Sequence, residues 1–189
     1  MRKLILVKHA APFIVPGTPP ERWRLSDRGR ESCAPLAAAL RPLDPSVVVA
    51  SEEPKALETA QAVAEQLSLP PAKAAPGLHE HDRSNVPHMR SGEFISHVEL
   101  FFRKPRELVL GKETADQAAD RFEAAVNAVL EGHASGNPAI VSHGTVLALF
   151  IARHSDRNPF MLWRELGLPS FVVLSLPDLK LESVVPRIG

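Results

Sequence analysis

Three apolar runs in this sequence give way abruptly to residues that can do chemistry. Residues 4–7 stop at Lys8-His9, residues 47–50 stop at Ser51 with Lys55 close behind, and residues 139–141 stop at Ser142-His143-Gly144. A neutral imidazole has a lone pair that can attack phosphorus and carry the phosphoryl group as phosphohistidine. That reaction needs cations and backbone N–H donors to balance charge on the equatorial oxygens. Lys8 and Lys55 offer ammonium groups, and Gly144, at a helix start just after His143, leaves room for an anion beside N–H donors. The departing alkoxide needs a proton, and Glu80 is a carboxylic acid able to supply it.

Such groups act only if the fold brings them together. Short, unbroken aliphatic runs fit strands buried on both faces. Strands are therefore expected over 4–7, 47–50 and 139–141, with a short one over 72–75 and two final ones over 171–176 and 181–185. Between them the apolar residues recur at helical spacing. Ser26 caps a helix whose stripe is Cys33, Leu36, Ala37 and Leu40, and Pro35 inside it should kink or divide it. A second stripe runs through Ala56, Ala60, Val63, Ala64 and Leu67. Residues 93–102 form a third helix, and Thr114 caps a fourth carrying Ala115, Ala118, Ala119, Phe122, Ala125, Val126 and Val129. Residues 146–152 form the last. This alternation predicts an α/β fold, a three-layer α/β/α sandwich with a mostly parallel central sheet. In a parallel sheet the carboxyl ends of the strands share one edge, where ligands bind. His9, His143, Lys8 and Lys55 should converge there.

The 189 residues suit one domain, 1–189, in which 77–111 forms a small lid over the site. The 22 Lys+Arg balance the 22 Asp+Glu, so the basic excess of a nucleic-acid partner is missing. Cys33 is the only cysteine, which excludes an internal disulfide and a Cys-rich zinc site and suits a reducing cytoplasm. The N-terminus imitates a signal peptide, but its four apolar residues fall below the roughly 7–15 of an h-region. No run approaches the ~18 apolar residues of a spanning helix, so no membrane association is expected.

Taken in order, the motifs resemble those of the histidine phosphatase superfamily, the phosphoglycerate-mutase-like proteins, over nearly the whole chain. Lys8-His9-Ala10 stands where that family has Arg-His-Gly after the first strand. Leu25-Ser26-Asp27-Arg28-Gly29 is similar to its Leu-Thr block with a following glycine, and Ser51 with Lys55-Ala56 and Thr59-Ala60 to its Ser, Arg-Ala, Thr-Ala block. Leu78-His79-Glu80 resembles its acid segment, Gly111-Lys112-Glu113-Thr114 its Gly-Glu-Ser segment, and Ser142-His143-Gly144 its second histidine. The resemblance implies a phosphomonoester hydrolase that works through a phosphohistidine, without cofactor or metal, on a phosphorylated small molecule or phosphoprotein. It implies that His9 is the nucleophile, that His143 is a phosphate ligand and stabiliser, and that Glu80 is the proton donor, with Glu93 the rival acid. Lys8 and Lys55 take the places of two phosphate-binding arginines. Lysine keeps the charge but loses the fork that grips two oxygens. Ala10 adds a methyl beside the nucleophile and resists a positive φ. Both changes point to a weak or specialised phosphatase or, as the alternative, to a non-catalytic pseudo-phosphatase that binds a phosphorylated ligand or a partner.

Two other groups of residues have competing readings. His79, Glu80, His81, Asp82 and His88 are suitable types for zinc or manganese, but they lack the helical His-Glu-x-x-His register of a metal hydrolase. Arg83, Ser84 and Asn85 read as ordinary loop polarity.

Overall fold

The computed structural model describes residues 2–87 and 89–188. Six strands form one sheet: β1 (Lys3–Lys8), β2 (Pro45–Ala50), β3 (Lys73–Ala74), β4 (Asn137–Ser142), β5 (Ser170–Ser175) and β6 (Lys180–Val185). Their spatial order is β3-β2-β4-β1-β5-β6. The first four strands are mutually parallel, β5 runs against β1, and β6 runs against β5, so only β5 opposes the common direction.

The aliphatic runs lack polar alternation because both faces of the sheet are covered. Leu4, Leu6, Val49, Ile140, Val172 and Leu174 pack into one core, and Ile5, Val7, Val48, Val141, Phe171 and Val173 into the other. Successive strand residues point to opposite faces. A one-residue slip of β1 would exchange its side chains between two differently shaped cores, and each buried side chain contributes roughly 1.5–3 kcal/mol. The second core is closed by α2 (Cys33–Leu40) and α3 (Pro54–Gln66), the first by α4 (Ser91–Arg103), α5 (Ala115–Gly132), α6 (Gly144–Arg153) and α7 (Pro159–Glu165). This is the three-layer sandwich.

The helix expected from Ser26 through Leu40 is divided into α1 (Asp27–Glu31) and α2, which meet at Ser32. Pro35 has no N–H and its ring would strike the carbonyl four residues earlier. As the third residue of α2 it needs neither. Ser26 caps α1 by accepting the Gly29 N–H at 3.0 Å, and Thr114 forms a reciprocal capping box with Gln117 at the start of α5. The short strand over 72–75 is reduced to two residues, and α7 has no counterpart in the sequence reading. With seven residues and only Leu162 buried, α7 leaves no apolar period to detect.

β2, β4 and β1 are neighbours, so their carboxyl ends lie side by side. The ladders run one residue past the strands: His9 N–H donates to the Ser142 carbonyl at 3.0 Å and Ser51 N–H to the Val141 carbonyl at 2.9 Å. Behind β1 the chain is held by Ala11, whose carbonyl accepts both the N–H and the hydroxyl of Ser26. A Cβ on Gly29 would lie 2.1 Å from that same oxygen, so only glycine lets α1 approach this closely.

Candidate active site

His9 follows β1 directly and is 6% exposed. Its Nδ1 lies 2.7 Å from the Ala10 carbonyl oxygen. A carbonyl only accepts, so Nδ1 carries the proton and Nε2 keeps its lone pair. Burial, reinforced by the ammonium groups of Lys55 and Lys8 and partly opposed by the Ala10 carbonyl, pushes the imidazole down to about 3. The ring is therefore neutral near pH 7, the form a nucleophile needs. Ala10 fits without strain. It is absent from the non-glycine residues with positive φ, its N–H donates to Thr59 Oγ1 at 3.0 Å, and its methyl packs with Leu25 and Cys33.

His143 leaves β4 at the start of α6. Its ring meets that of His9 edge-on, with centroids 5.1 Å apart and planes at 61°. Its Nε2 is 2.9 Å from Ser51 Oγ and 3.4 Å from Glu53 Oε1, and its buried Nδ1 has no partner among the described residues. Burial, then the neighbouring His9 and Lys55, hold it well below the usual histidine range. Lys55, near the start of α3, is 5% exposed. Its ammonium donates to the Glu53 carboxylate and, at 2.8 Å, to the Pro20 carbonyl. Glu53 is itself buried, and its Oε1 also accepts the backbone N–H of Glu80 at 2.8 Å.

Glu80 faces the two histidines from the loop after β3. Its carboxylate accepts the N–H groups of His81 (2.9 Å), Thr145 (3.2 Å) and Val146 (3.3 Å), so it satisfies the free N-terminal donors of α6. Burial pushes its carboxyl up, but Arg83 and the N–H groups of His81 and Thr145 outweigh burial and hold it below the usual carboxylate range. The loop is built from behind. Arg121 on α5 donates to the carbonyls of Gly77, His79 and Glu80, and pairs with Glu113 at 2.6 Å. Glu113 in turn accepts the Asp82 N–H at 3.0 Å.

Lys8 sits at the end of β1, and its Nζ donates to the Leu166 carbonyl at 2.6 Å. Burial, opposed by Glu80, pulls its ammonium down to about 8. A Cβ on Gly144 would stand 3.0 Å from Lys8 Cε, so the glycine makes room for the lysine. The N–H groups that follow Gly144 are already engaged by Glu80.

His9, His143, Glu80 and Lys55 line one cavity of about 450 Å³, together with Glu53 and Arg83. Lys8 and Gly144 line a second cavity that opens from the same His9. The sequence reading gives Glu53 no role and assigns Arg83 to ordinary loop polarity, whereas both line the cavity. The signal for Glu53 was its place just before Pro54 at a helix start, and Arg83 follows Glu80 by three residues, 3.7 Å from its Oε2. Glu93 is exposed in the first turn of α4 and lines neither cavity. His79, His81 and Asp82 belong to no group of three metal-ligand side chains among the described residues, and His88 lies outside them. His81 turns inward instead, packing on Phe101 with centroids 4.2 Å apart.

A neutral imidazole with a free Nε2, a second imidazole at its edge and a carboxyl opposite can transfer a group to nitrogen and protonate what leaves. The family model of the histidine phosphatase superfamily (branch 1) matches residues 18–182. Among solved structures, a mycobacterial glucosyl-3-phosphoglycerate phosphatase is 18% identical with a TM-score of 0.76, over 98% of this chain and 99% of that one. The alpha-ribazole phosphatase from Shigella flexneri is 22% identical with a TM-score of 0.71, over 99% and 98%. YhfR from Bacillus stearothermophilus is 19% identical with a TM-score of 0.75, over 98% and 96%. At these identities the likeness is one of fold. No curated protein sequence matches the chain significantly.

Proposed function

The chain belongs to the histidine phosphatase superfamily, and from that premise we propose that it is a phosphomonoester hydrolase acting through a phosphohistidine on His9. The observation that carries this reading is the state of His9, whose Nδ1 is held by the Ala10 carbonyl and whose ring is kept neutral by burial. Nε2 attacks phosphorus in line, and the bond from phosphorus to the alcohol oxygen breaks as Glu80 gives that oxygen its proton. Water then attacks the phosphohistidine, Glu80 takes a proton from it, and Nε2 recovers its lone pair as phosphate departs. Glu80 must be protonated for the first step, although its surroundings favour the carboxylate. A phosphate dianion bound beside it raises its pKa by like-charge repulsion, so substrate binding itself prepares the acid. His143, Lys8 and Lys55 stabilise the equatorial oxygens, and 77–111 acts as the lid. The substrate is a phosphorylated small molecule or phosphoprotein.

Acid-quench trapping with a ³²P-labelled phosphomonoester tests the reading. Label should appear on the wild type and be lost in His9→Ala, together with turnover of p-nitrophenyl phosphate. Unlabelled wild type with no turnover overturns it. One observation favours the second reading, a pseudo-phosphatase that only binds a phosphorylated ligand: both site lysines are already engaged, Lys8 by the Leu166 carbonyl and Lys55 by Glu53 and Pro20. Phosphate binding that persists in His9→Ala, without turnover in the wild type, would support it.

A further inference from the structure

The two cavities share His9, Pro20, Trp23, Glu80, Arg83 and Ser84 but differ in the rest of their walls. The first carries more ionisable groups, His143, Glu53 and Lys55 among them. The second is larger, about 1010 Å³, and opens from His9 and Lys8 between the loop after β1, α4 and α7. Its walls include Ile14, Val15, Trp23, Ile95, Trp163 and Leu168. Five of these, Ile14, Val15, Trp23, Ile95 and Leu168, belong to no apolar core among the described residues, and Ile14 is 63% exposed. Apolar side chains that serve no core yet border one cleft mark a surface that is covered in use.

The polar inventory of this cavity says what covers it. Among the described residues its charged lining is confined to Lys8, Glu80 and Arg83, beside the neutral imidazole of His9, and the Arg83 guanidinium lies over the Phe94 ring at 5.0 Å. Beyond these, its side chains offer only the hydroxyls of Thr18, Ser84 and Ser91 and the indole N–H groups of Trp23 and Trp163, that of Trp23 already given to the Thr18 carbonyl, and no amide side chain or second carboxylate lines it among the described residues. A sugar or amino-acid alcohol would find few side-chain partners here for its polar groups. An alkyl chain needs none.

We propose that this cavity receives the alcohol portion of the substrate, and that this portion is a long apolar chain: the substrate is the phosphate monoester of an apolar alcohol. The inference rests on the phosphohistidine reading, since the cavity matters to catalysis only because it starts at His9. Its occupancy can nevertheless be read without turnover, because the only two tryptophans of the chain, Trp23 and Trp163, both line it.

The test uses n-alkyl phosphates from butyl to dodecyl, below their micelle concentrations, and the matching n-alkylphosphonates, which cannot be hydrolysed. Full burial of one methylene is worth roughly fourfold in affinity. We expect phosphonate Kd, read from tryptophan fluorescence, and ester kcat/KM each to improve at least about a hundredfold from butyl to dodecyl, a conservative fraction of that limit. Ile95→Glu should flatten both series. Chain-length dependence in binding with no ester hydrolysed overturns the phosphatase reading, and with it the substrate role, and leaves the cavity as a binding site for an apolar chain. Turnover of p-nitrophenyl phosphate with a flat alkyl series, or phosphoserine preferred over dodecyl phosphate, keeps the phosphatase reading and overturns this inference.

Discussion

At the scale of single residues, the site combines a neutral imidazole, the proposed nucleophile, with cations that are already engaged. Because burial pulls Lys8 down to about 8, its charge is present below that pH and lost above it. Inhibition by inorganic phosphate should therefore weaken by about an order of magnitude between pH 7.5 and pH 9. Lys8→Arg, whose guanidinium stays charged, should remove that pH dependence; a wild-type inhibition constant flat over this range would contradict the role given to Lys8. Glu53 opposes the same task from the other side. It neutralises Lys55 and lies 3.4 Å from His143, so it places a carboxylate in the wall of an anion site. The isosteric change Glu53→Gln should tighten competitive inhibition by phosphate roughly five- to tenfold, the size expected for one partly screened charge. Unchanged or weaker inhibition would mean that Glu53 is needed to aim Lys55. The sequence displayed His9, His143 and Glu80 because each stands in a recognisable tripeptide. Glu53 was invisible, since only folding brings it within reach of a histidine ninety residues away.

At the scale of elements, the strands supply the histidines and a helix supplies the acid's support. Glu80 is on a loop, and a loop positions a proton donor only if something fixes its backbone. Arg121 does so with three carbonyl contacts and its pair with Glu113. Arg121→Ala should cost roughly 1.5–3 kcal/mol of stability, the range for hydrogen bonds to a charged group, measured as a lower midpoint in urea. It should also lower kcat more for alkyl phosphates than for p-nitrophenyl phosphate, whose leaving group needs no proton. Equal losses on both substrates would show a general disturbance instead of a misplaced acid. Gly111-Lys112-Glu113-Thr114 thereby gains a physical role. Glu113 holds the Asp82 N–H as well as Arg121, and Thr114 caps the helix on which Arg121 stands.

For the molecule as a whole, buried imidazoles couple folding to pH. His9, His79, His81 and His143 all have native values below the ordinary histidine range, burial being the largest cause in each. The unfolded chain takes up protons near pH 6.5 that the native state refuses, so stability rises with pH up to about 6.5 and is lost below it. At pH 5 His9 alone should cost about 2 kcal/mol. Glu80, Asp82 and Glu113 are shifted below the ordinary carboxylate range, so their contribution is present above ~4.5 and is lost only below it. Thermal unfolding should thus show a midpoint that falls between pH 7 and pH 5, and a shallower fall in His9→Asn. The family model agrees with the family the motifs suggested, and the structure with the buried strands, amphipathic helices and caps that local order in the chain determined. These are legible because strand and helix periods and capping residues act over a few positions. Only the tertiary structure decided the rest. It added α7, set Glu53 against Lys55 and His143, tied Lys8 to Leu166, and opened an apolar cavity beside His9. Those outcomes depend on which distant side chains share a volume after packing, and no local spacing in the sequence encodes that.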